Sequence, residues 1–372
     1  MNKTILVIGG DHHNTLAILR SLGEKGLKAN LIVVSTDKKP YVCYSKYIAR
    51  SIVVHSESEI KDAMYQLYSK SDKDVVIACS DAISSYLDMN CEELSAKFIL
   101  PGAKKQGSIT SLMNKDTMSQ LACECGIRIP KSWIVETSLP VIDGIEYPCI
   151  VKPLVSKEGS KAAIAICSKK NELVEYLKEC QCERLQIQKY IVKDIEFQLI
   201  GCSINGGQEV IIPGASVILR QPQNTNTGFL RYIPKRNFTF DMDACQKFLN
   251  RTGYSGLFSM EFLRDKDGND YFMEINFRND GNSICVTASG MNLPYIWVLY
   301  NSGEDIKPEL DYTNMKEVLV MPEFQDIHHV KVGEISLLMW IKDIIRTDRF
   351  MEFSKNDQKP FWMYLIKRIF RV

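Results

Sequence analysis

The residues whose types and spacing most directly suggest chemistry lie between positions 253 and 283, where Glu261, Glu274 and Asn276 occupy two consecutive strand-like runs. The intervening DKDGND predicts a hairpin, because Asp, Asn and Gly favour tight turns. Residues two apart on a strand share a face, so Glu274 and Asn276 project together and the hairpin brings Glu261 alongside. Mg²⁺ prefers such oxygen ligands and takes its remaining ligands from water and nucleotide phosphates. The pattern predicts a Mg-nucleotide site; a hairpin with a solvated polar face is the alternative.

The elements that precede this segment indicate an α/β architecture. Residues 1–110 alternate apolar runs with amphipathic segments, which is the βαβ rhythm of a parallel sheet covered by helices. Ligands bind such sheets at the carboxyl ends of the strands, where the glycines at 9–10 and the histidines at 12–13 are expected. The missing GxGxxG fingerprint excludes a nicotinamide site. For the histidines, a loop with Asn14 as helix N-cap is preferred to substrate contact.

Composition sets the broad class of protein. The chain has 372 residues, of which 45% are hydrophobic and 24% are charged, as expected for a folded protein of two or three domains. A formal charge of +1 without a basic stripe argues against a nucleic-acid partner. The N-terminal apolar run is too short for a signal peptide, and the twelve cysteines show no disulfide-scaffold density, which predicts reduced thiols and a cytoplasmic location. The CxC pairs at 123–125 and 180–182 are interpreted as ordinary helix residues rather than metal ligands, because residues two apart on a helix do not share a face.

Two lysines and a small-residue loop in the middle of the chain suggest phosphate binding. Asn114 is the predicted N-cap of a helix ending at Gly126, so Lys115 lies in its first turn. The run PCIVKP predicts a buried strand that carries Lys152 and leads into SKEGSK at 156–161. Lysine suits phosphate as a compact charge, and small residues let loop N–H groups approach its oxygens. With one glycine in the loop, a surface lysine before an ordinary turn is the alternative.

Two further positions suggest contacts with a nucleoside. Glu196 lies in the strand-like run KDIEFQLIG, where a carboxylate facing a cleft would accept both ribose hydroxyls. Backbone groups around Gln188 to Ile191, in the preceding QKYI segment, would read the edges of adenine.

Taken in chain order, these features resemble the ATP-grasp superfamily over roughly residues 1–300, and the spacing of Glu261, Glu274, Asn276 and Arg278 is the most specific element. The resemblance implies an α/β and α+β fold, with a pre-ATP-grasp parallel-sheet domain followed by a two-lobed ATP-grasp fold. The implied bounds are 1–110 for the α/β domain, 111–185 for the small lobe, 186–302 for the large lobe with the metal site, and 303–372 for a C-terminal extension.

The resemblance also implies roles for individual residues. Glu261, Glu274 and Asn276 would hold one or two Mg²⁺ ions, with Mn²⁺ as a substitute, and Arg278 would contact the transferring phosphoryl group or a substrate carboxylate. Three departures are a glycine-poor phosphate loop, Gln188 in place of a common glutamate, and Phe277 in place of a frequent proline. The implied ATP-binding residues are Lys115, Lys152, Ser156, Gly159, Ser160, Gln188, Lys189, Tyr190, Ile191 and Glu196.

Within the superfamily, the runs SKYIARSIVV, NKDTMSQLA and RTDRFMEFSKNDQKPFW look similar to uncharacterised carboxylate–amine ligases related to D-aspartate ligases. That similarity implies activation of a carboxylate by ATP to an acyl phosphate, then attack by an amine, with the substrates being a small molecule or a glycan or peptide precursor and an amino acid. The implied setting is cell-wall or surface-glycan assembly. A nucleotide-binding regulatory protein without turnover is the alternative, and a kinase or carboxylase of the same architecture is a further one.

Substrate residues are expected after the predicted ribose contact. The segment 213–236 contains Arg220 and Arg231, either of which would clamp a substrate carboxylate, and Arg231 would also act in catalysis; a solvated basic loop is the alternative. Asn282 and Ser283 would close over the acyl phosphate.

The end of the chain combines aromatic and basic residues. Residues 360–372 predict a basic amphipathic helix, for which docking on its own domain is preferred to contact with the inner membrane surface. A homodimer is a further expectation.

Overall fold

The computed structural model describes residues 3–70, 72–137, 143–153, 164–180, 182–221 and 227–370. Its strands are β1 Ile5–Gly10, β2 Ala29–Val34, β3 Ile48–Val54, β4 Asp74–Ala78, β5 Phe98–Ile99, β6 Ser132–Glu136, β7 Cys149–Pro153, β8 Ala165–Cys167, β9 Arg184–Lys189, β10 Lys193–Ile204, β11 Glu209–Ile211, β12 Gly214–Arg220, β13 Phe229–Pro234, β14 Gly256–Asp265, β15 Asp270–Asn276, β16 Val318–Met321 and β17 Arg349–Phe350.

The helices follow in the same chain order, with short 3₁₀ turns at Tyr41–Tyr44, Glu57–Glu59, Lys235–Asn237 and Lys307–Glu309. They are α1 His13–Glu24, α2 Ile60–Leu67, α3 Asp81–Met89, α4 Cys91–Leu94, α5 Ser108–Leu112, α6 Lys115–Glu124, α7 Lys170–Glu179, α8 Met242–Thr252, α9 Ile284–Ser289, α10 Leu293–Asn301, α11 Glu323–Asp326, α12 His328–Lys331, α13 Leu337–Arg346 and α14 Lys359–Phe370. No helix in the described ranges is long and apolar enough to cross a membrane.

The chain divides into two compact units. The first comprises Met1–Met113, Phe197–Met260 and Ile275–Val372, and the second comprises Asn114–Glu196 and Glu261–Glu274. The predicted α/β and α+β fold class is confirmed by one parallel sheet and two sheets with antiparallel pairing. The finer predicted division at 110, 185 and 302 stays a prediction.

The five-stranded parallel sheet of the first unit has the order β3-β2-β1-β4-β5. Its strands read as continuous apolar runs because both faces are covered. Val7 and Ile77 belong to one buried cluster, whereas Leu6, Ile8 and Val76 belong to a second cluster on the other face. The carboxyl ends of β1 and β4 are thereby held side by side, and the loops that follow them are fixed in place.

The larger sheet has the order β15-β14-β10-β12-β13-β16-β17, with β11 paired to β10. Strands β10, β14 and β15 continue from one unit into the other. The predicted hairpin between β14 and β15 is present. The Asp265 N–H donates to the Asn269 carbonyl (3.1 Å), and Gly268 takes the positive φ of +80° that closing this turn requires.

The second unit contains a four-stranded antiparallel sheet in the order β6-β9-β7-β8. One face of this sheet is apolar, since Val151, Leu185 and Ile187 are fully buried together with Leu173 of α7. Alternation along the strands therefore turns Lys152, Gln186 and Gln188 towards the opposite face.

The last 70 residues are built into the first unit. Strand β16 pairs with β13, and β17 pairs with β16. Helix α14 packs on the 3₁₀ turn Tyr41–Tyr44, with ring centroids of Tyr41 and Tyr364 4.9 Å apart. The preferred interpretation of the C-terminal helix, docking on its own domain, is confirmed.

A buried arginine ties this C-terminal region to helix α1. Arg20 is 1% exposed and donates to the carbonyls of Met351 (2.9 Å) and Glu352 (2.8 Å) and to the carboxylate of Asp357 (3.3 Å). We expect Arg20→Met to lower stability by about 3–5 kcal/mol, because it leaves a buried carboxylate uncompensated. The denaturant midpoint of the first unit measures the effect. Lys25→Met, which removes a partly exposed pair with Glu309, should cost under about 1 kcal/mol; equal losses would contradict the assignment.

Candidate functional site

Two lysines of the second unit, Lys115 and Lys152, interact through their charges. Lys115 begins α6, which Asn114 caps as predicted by accepting from the Asp116 N–H (3.0 Å). Lys152 leaves β7 and donates from Nζ to Gln188 Oε1 (2.9 Å). Burial, and next the nearby charge of Lys115, lower the pKa of Lys152 to about 8 against the opposing effects of Glu274 and Asp116. Two cations held close in a partly desolvated site are stabilised by an anion.

The polar face of the small sheet supports this lysine pair. Gln186 lies directly opposite Lys152 and donates from Nε2 to Asp116 Oδ1 (3.3 Å) on α6. Gln186 was not singled out in the sequence, although its position two residues before Gln188 on one strand gives it the same face. The helix start and the sheet are thus connected through polar contacts around the two ammonium groups.

The predicted adenine segment, Gln188 to Ile191, is partly engaged within the fold. The Lys189 N–H donates to the Lys131 carbonyl (2.8 Å), and the Tyr190 N–H donates to the Pro148 carbonyl (2.9 Å). The Lys189 ammonium pairs with Glu146 (2.9 Å). These two amides and this side chain are therefore occupied within the fold, and Gln188 and Lys189 also lie in the ladders that join β9 to its neighbours.

The predicted ribose carboxylate lies on β10. Glu196 is partly buried and accepts a short hydrogen bond from Lys193, three residues earlier. A ribose would compete with this lysine for the carboxylate. The predicted phosphate-loop residues Ser156, Gly159 and Ser160 lie outside the described residues.

The two predicted metal carboxylates lie on neighbouring strands of the second unit, Glu261 on β14 and Glu274 on β15, and both are partly exposed. Near the turn of the hairpin, Arg264 pairs with Asp270 (2.6 Å).

At the other end of the hairpin, Asn276 Nδ2 donates to Ser259 Oγ (3.4 Å) in the first unit. The donor set of two carboxylates fits Mg²⁺ that takes further ligands from phosphate and water. Among the described residues, no group of three or more His, Cys, Asp or Glu side chains forms a metal site by itself.

The first unit contains a separate cleft at the carboxyl ends of β1 and β4. It encloses about 980 Å³, part of which is open solvent. Its lining comes from the loops after β1 and β4, from the segment after β15, and from Thr227 and Gln325. The lining residues are Gly10, His12, His13, Asn14, Thr15, Cys79, Ser80, Asp81, Thr227, Arg278, Asp280, Gly281 and Gln325.

The charges in this cleft are arranged around Arg278. Its guanidinium donates to Asp81 (3.1 Å), Asp280 (3.2 Å) and Asn276 Oδ1 (3.1 Å). Burial alone would lower the pKa of Arg278, but Asp280 and Asp81 outweigh it and raise the pKa above its ordinary value. Arg278 is therefore a fixed cation with two carboxylates beside it. Asp81 and Asp280 were not predicted, although Asp81 follows a parallel strand in the same way as the histidines.

Both histidines of the loop after β1 line the cleft in their neutral form. Burial, with a smaller effect of His13, lowers the pKa of His12 to about 3, and burial lowers the pKa of His13 to about 4. His12, not Asn14, caps α1, since its Nδ1 accepts from the Asn14 N–H (3.3 Å). The prediction of Asn14 as N-cap is wrong, because its side chain instead donates to the carbonyls of Cys79 and Asn279, both at 2.9 Å.

The predicted substrate residues are dispersed. Arg220 is held by both oxygens of Asp326 (2.9 and 2.7 Å) and by Asp343 (2.5 Å), which favours a structural role over a substrate clamp. Arg231 projects from β13 and is exposed.

In the segment after β15, Arg278, Asp280 and Gly281 line the cleft. The predicted Asn282 and Ser283 are instead buried in the fold. Asn282 donates to Gln198 (2.8 Å), and Ser283 accepts from Asn279 (2.9 Å). The twelve cysteines are free thiols, as predicted.

A parallel-sheet unit, together with a second unit that presents paired lysines and strand-borne carboxylates, is the arrangement that the predicted resemblance to ATP-grasp proteins implies. Comparisons with known proteins agree with that resemblance. D-alanine–D-alanine ligase from Fusobacterium nucleatum is 28% identical over 172 residues, covering 44% of this chain and 55% of that protein. D-aspartate ligase from Enterococcus faecium is 22% identical over 346 residues, covering 82% of this chain and 81% of that protein. The chain thus spans about half the length of the first relative. Protein-family models give no match.

Solved structures agree on the fold. N5-carboxyaminoimidazole synthetase from Staphylococcus aureus superposes with a TM-score of 0.66 at 18% identity, covering 89% of this chain and 87% of that one. An L-amino acid ligase from Bacillus licheniformis gives a TM-score of 0.62 at 17% identity, covering 86% and 78%. The resemblance to the ATP-grasp superfamily that the sequence predicted is confirmed by these comparisons. D-alanine–D-alanine ligase and D-aspartate ligase are themselves ligases, the class of enzyme that the sequence predicts.

Proposed function

We propose that the chain is an ATP-dependent carboxylate–amine ligase. The γ-phosphate of ATP is transferred to a carboxylate to give an acyl phosphate, and an amine then displaces phosphate to form an amide, with release of ADP. The observation that carries this proposal is the lysine pair, because Lys152 is held beside Lys115 in a partly buried site with a lowered pKa. A nucleotide polyphosphate would supply the negative charge that stabilises these two neighbouring cations.

In this proposal the second unit binds Mg-ATP. Lys115 and Lys152 contact the phosphates, backbone groups around Gln188 to Ile191 contact adenine, and Glu196 exchanges Lys193 for the ribose. Glu261 and Glu274 hold Mg²⁺ with Asn276, and Mn²⁺ is a substitute to be tested. When bound, the metal neutralises charge on the phosphates, and the chain's own lysines orient them for in-line transfer.

In the first unit, the cleft around Arg278 holds substrate. Arg278 is already paired with Asp81 and Asp280, so in this proposal a substrate carboxylate or phosphoryl oxygen displaces one of these partners from the guanidinium. The neutral His12 and His13 carry no positive charge that would repel an ammonium group. Asp81 and Asp280 favour that ammonium group, so an amino acid fits the cleft as a class. Arg231 remains a proposed contact for a larger acid. A role in cell-wall or surface-glycan assembly, a cytoplasmic location and a homodimer remain parts of this proposal.

The test is acyl phosphate trapping. We expect ADP release that depends on an added carboxylate, and hydroxylamine should convert the intermediate to a hydroxamate detected by mass. A carboxylate kinase would give the same hydroxamate, so an amino acid is then supplied in place of hydroxylamine; an amide identifies the ligase, whereas a phosphorylated or carboxylated acid without amide would favour a kinase or a carboxylase reaction. ATP binding without release, over a wide panel of acids, would favour the nucleotide-binding regulatory protein.

The lowered pKa of Lys152 predicts a pH dependence. The free enzyme keeps this positive charge below about pH 8 and loses it above, so kcat/KM for ATP should fall as pH rises through about 8. Lys152→Arg keeps its charge in this range and should flatten the alkaline limb, whatever its absolute activity. An unchanged limb in Lys152→Arg would assign the ionisation to another group.

A further inference from the structure

Exposed apolar side chains are concentrated in the C-terminal part of the first unit. Of the sixteen large hydrophobic residues that the structure describes as exposed, nine lie between residues 332 and 369. Helix α13 contributes most of them, with Leu338 80% exposed and Ile345 78% exposed. Isolated exposed apolar residues need no explanation, but five of them on the single ten-residue helix α13 mark an interaction surface.

The exposed face of α13 is fixed in its orientation. Ser336 caps the helix by accepting from the Met339 N–H (3.1 Å), and Asp343 binds Arg220 on the inward side. Trp340 and Ile344 share that inward side and are partly buried. The outward face therefore consists of Leu338, Ile341, Lys342 and Ile345, which recur at helical spacing.

Helix α14 shows the same arrangement. Its inward side is docked, since Phe361 stacks on Phe324 (5.3 Å between centroids) and Tyr364 packs on Tyr41. Its outward side carries Trp362, Ile366 and Ile369, at i, i+4 and i+7, each about half exposed or more. Two helices of one C-terminal region thus each present an apolar stripe to solvent.

The charge around these stripes is positive. The acidic side chains of the region are engaged elsewhere: Asp343 with Arg220, Asp357 with Arg20, Glu334 with His329, Asp348 with the Leu319 N–H, and Glu352 in the buried core. The basic side chains are exposed instead. They are Lys331, Lys342 and Arg346 around α13, and Lys359 and Arg368 on α14.

We propose that the outward faces of α13 and α14 dock the protein on an anionic lipid surface. Leucine, isoleucine and tryptophan flanked by lysine and arginine are the composition of helices that lie in the membrane interface. A second copy of the chain is a poorer occupant, because a two-fold contact would oppose the same cationic patch to itself. Neither helix is long enough to span a bilayer, so the contact is peripheral.

The experiment is cosedimentation of the full chain with vesicles. We expect binding to vesicles of equal parts phosphatidylglycerol and phosphatidylcholine, weaker binding to pure phosphatidylcholine, and loss of binding at high salt. The double variant Leu338→Glu/Ile345→Glu should bind at least about tenfold more weakly, and Lys342→Glu/Arg346→Glu should lose the preference for anionic vesicles. These positions are exposed, so the variants should fold.

A matched control separates this surface from general hydrophobicity. Met89→Glu places the same charge on α3, at an apolar residue that is 50% exposed, and should leave vesicle binding unchanged. Sedimentation velocity without lipid tests the other occupant. Absence of vesicle binding would overturn the proposal, and a dimer that Leu338→Glu/Ile345→Glu dissociates would then assign the surface to a second copy. Equal loss in Met89→Glu would also overturn it.

Discussion

Glu274→Gln is expected to lower Mg-ATP turnover by about a thousandfold while leaving the fold intact. The substitution keeps the volume of the side chain and removes one of the two carboxylates that would hold Mg²⁺, a contribution of several kcal/mol to the transition state. It also removes a charge that supports protonation of Lys152. The alkaline limb of the pH profile of kcat/KM for ATP should therefore move to lower pH in this variant. Simple loss of a metal ligand would not produce this change.

The measurements are steady-state ADP release and nucleotide affinity over a pH series, with unfolding midpoints as a check on the fold. Asp270→Asn is the matched control, because it removes a carboxylate from the same strand that pairs only with Arg264 among the described contacts. It should retain activity within a few-fold. Full activity in Glu274→Gln would remove Glu274 from the site.

Lys152→Met carries the second large expected effect. The substitution removes the positive charge and keeps an unbranched side chain, so it should reduce kcat/KM for ATP by about 100-fold or more, as loss of one well-placed donor to a developing anion does. It also relieves the repulsion with Lys115. The free protein should therefore be no less stable than the parent even though it binds nucleotide far more weakly, which is the signature of a binding residue kept at a cost to stability.

Isothermal titration with ATP and thermal unfolding measure the two parts of this prediction. Lys170→Met is the control, since Lys170 lies in the same unit, is exposed and pairs with Asp143 on the surface. It should leave nucleotide affinity unchanged. A Lys152→Met variant that binds ATP as the parent does would contradict the assignment of the phosphate site.

The elements of the second unit could be predicted from the sequence because their signals are local. Asn114 caps its helix through its own next residues, PCIVKP forms the strand that carries Lys152, and Asp265 and Gly268 close the hairpin. Each of these depends on contacts within a few positions of the chain. Propensity and spacing were therefore sufficient to place the lysines and the strand carboxylates on their elements.

The predictions that failed depend on residues far away in the chain. Asn14 does not cap α1 because its partners, Cys79 and Asn279, are 65 and 265 positions distant. The sequence predicts Arg220 as a substrate clamp, but its guanidinium donates to Asp326 and Asp343, which lie 106 and 123 positions later in the chain. Asp81 and Asp280 joined the cleft for the same reason, since a tertiary contact leaves no local pattern.

The most direct test of the ligase assignment is the identity of the product. Incubation with Mg-ATP and pairs drawn from amino acids, dipeptides and uronic acids, followed by mass analysis, should yield for one pair a compound lighter than their sum by one water, with one ADP released per amide. ADP release accompanied only by a phosphorylated or carboxylated acid, with no amide for any pair, would contradict the account.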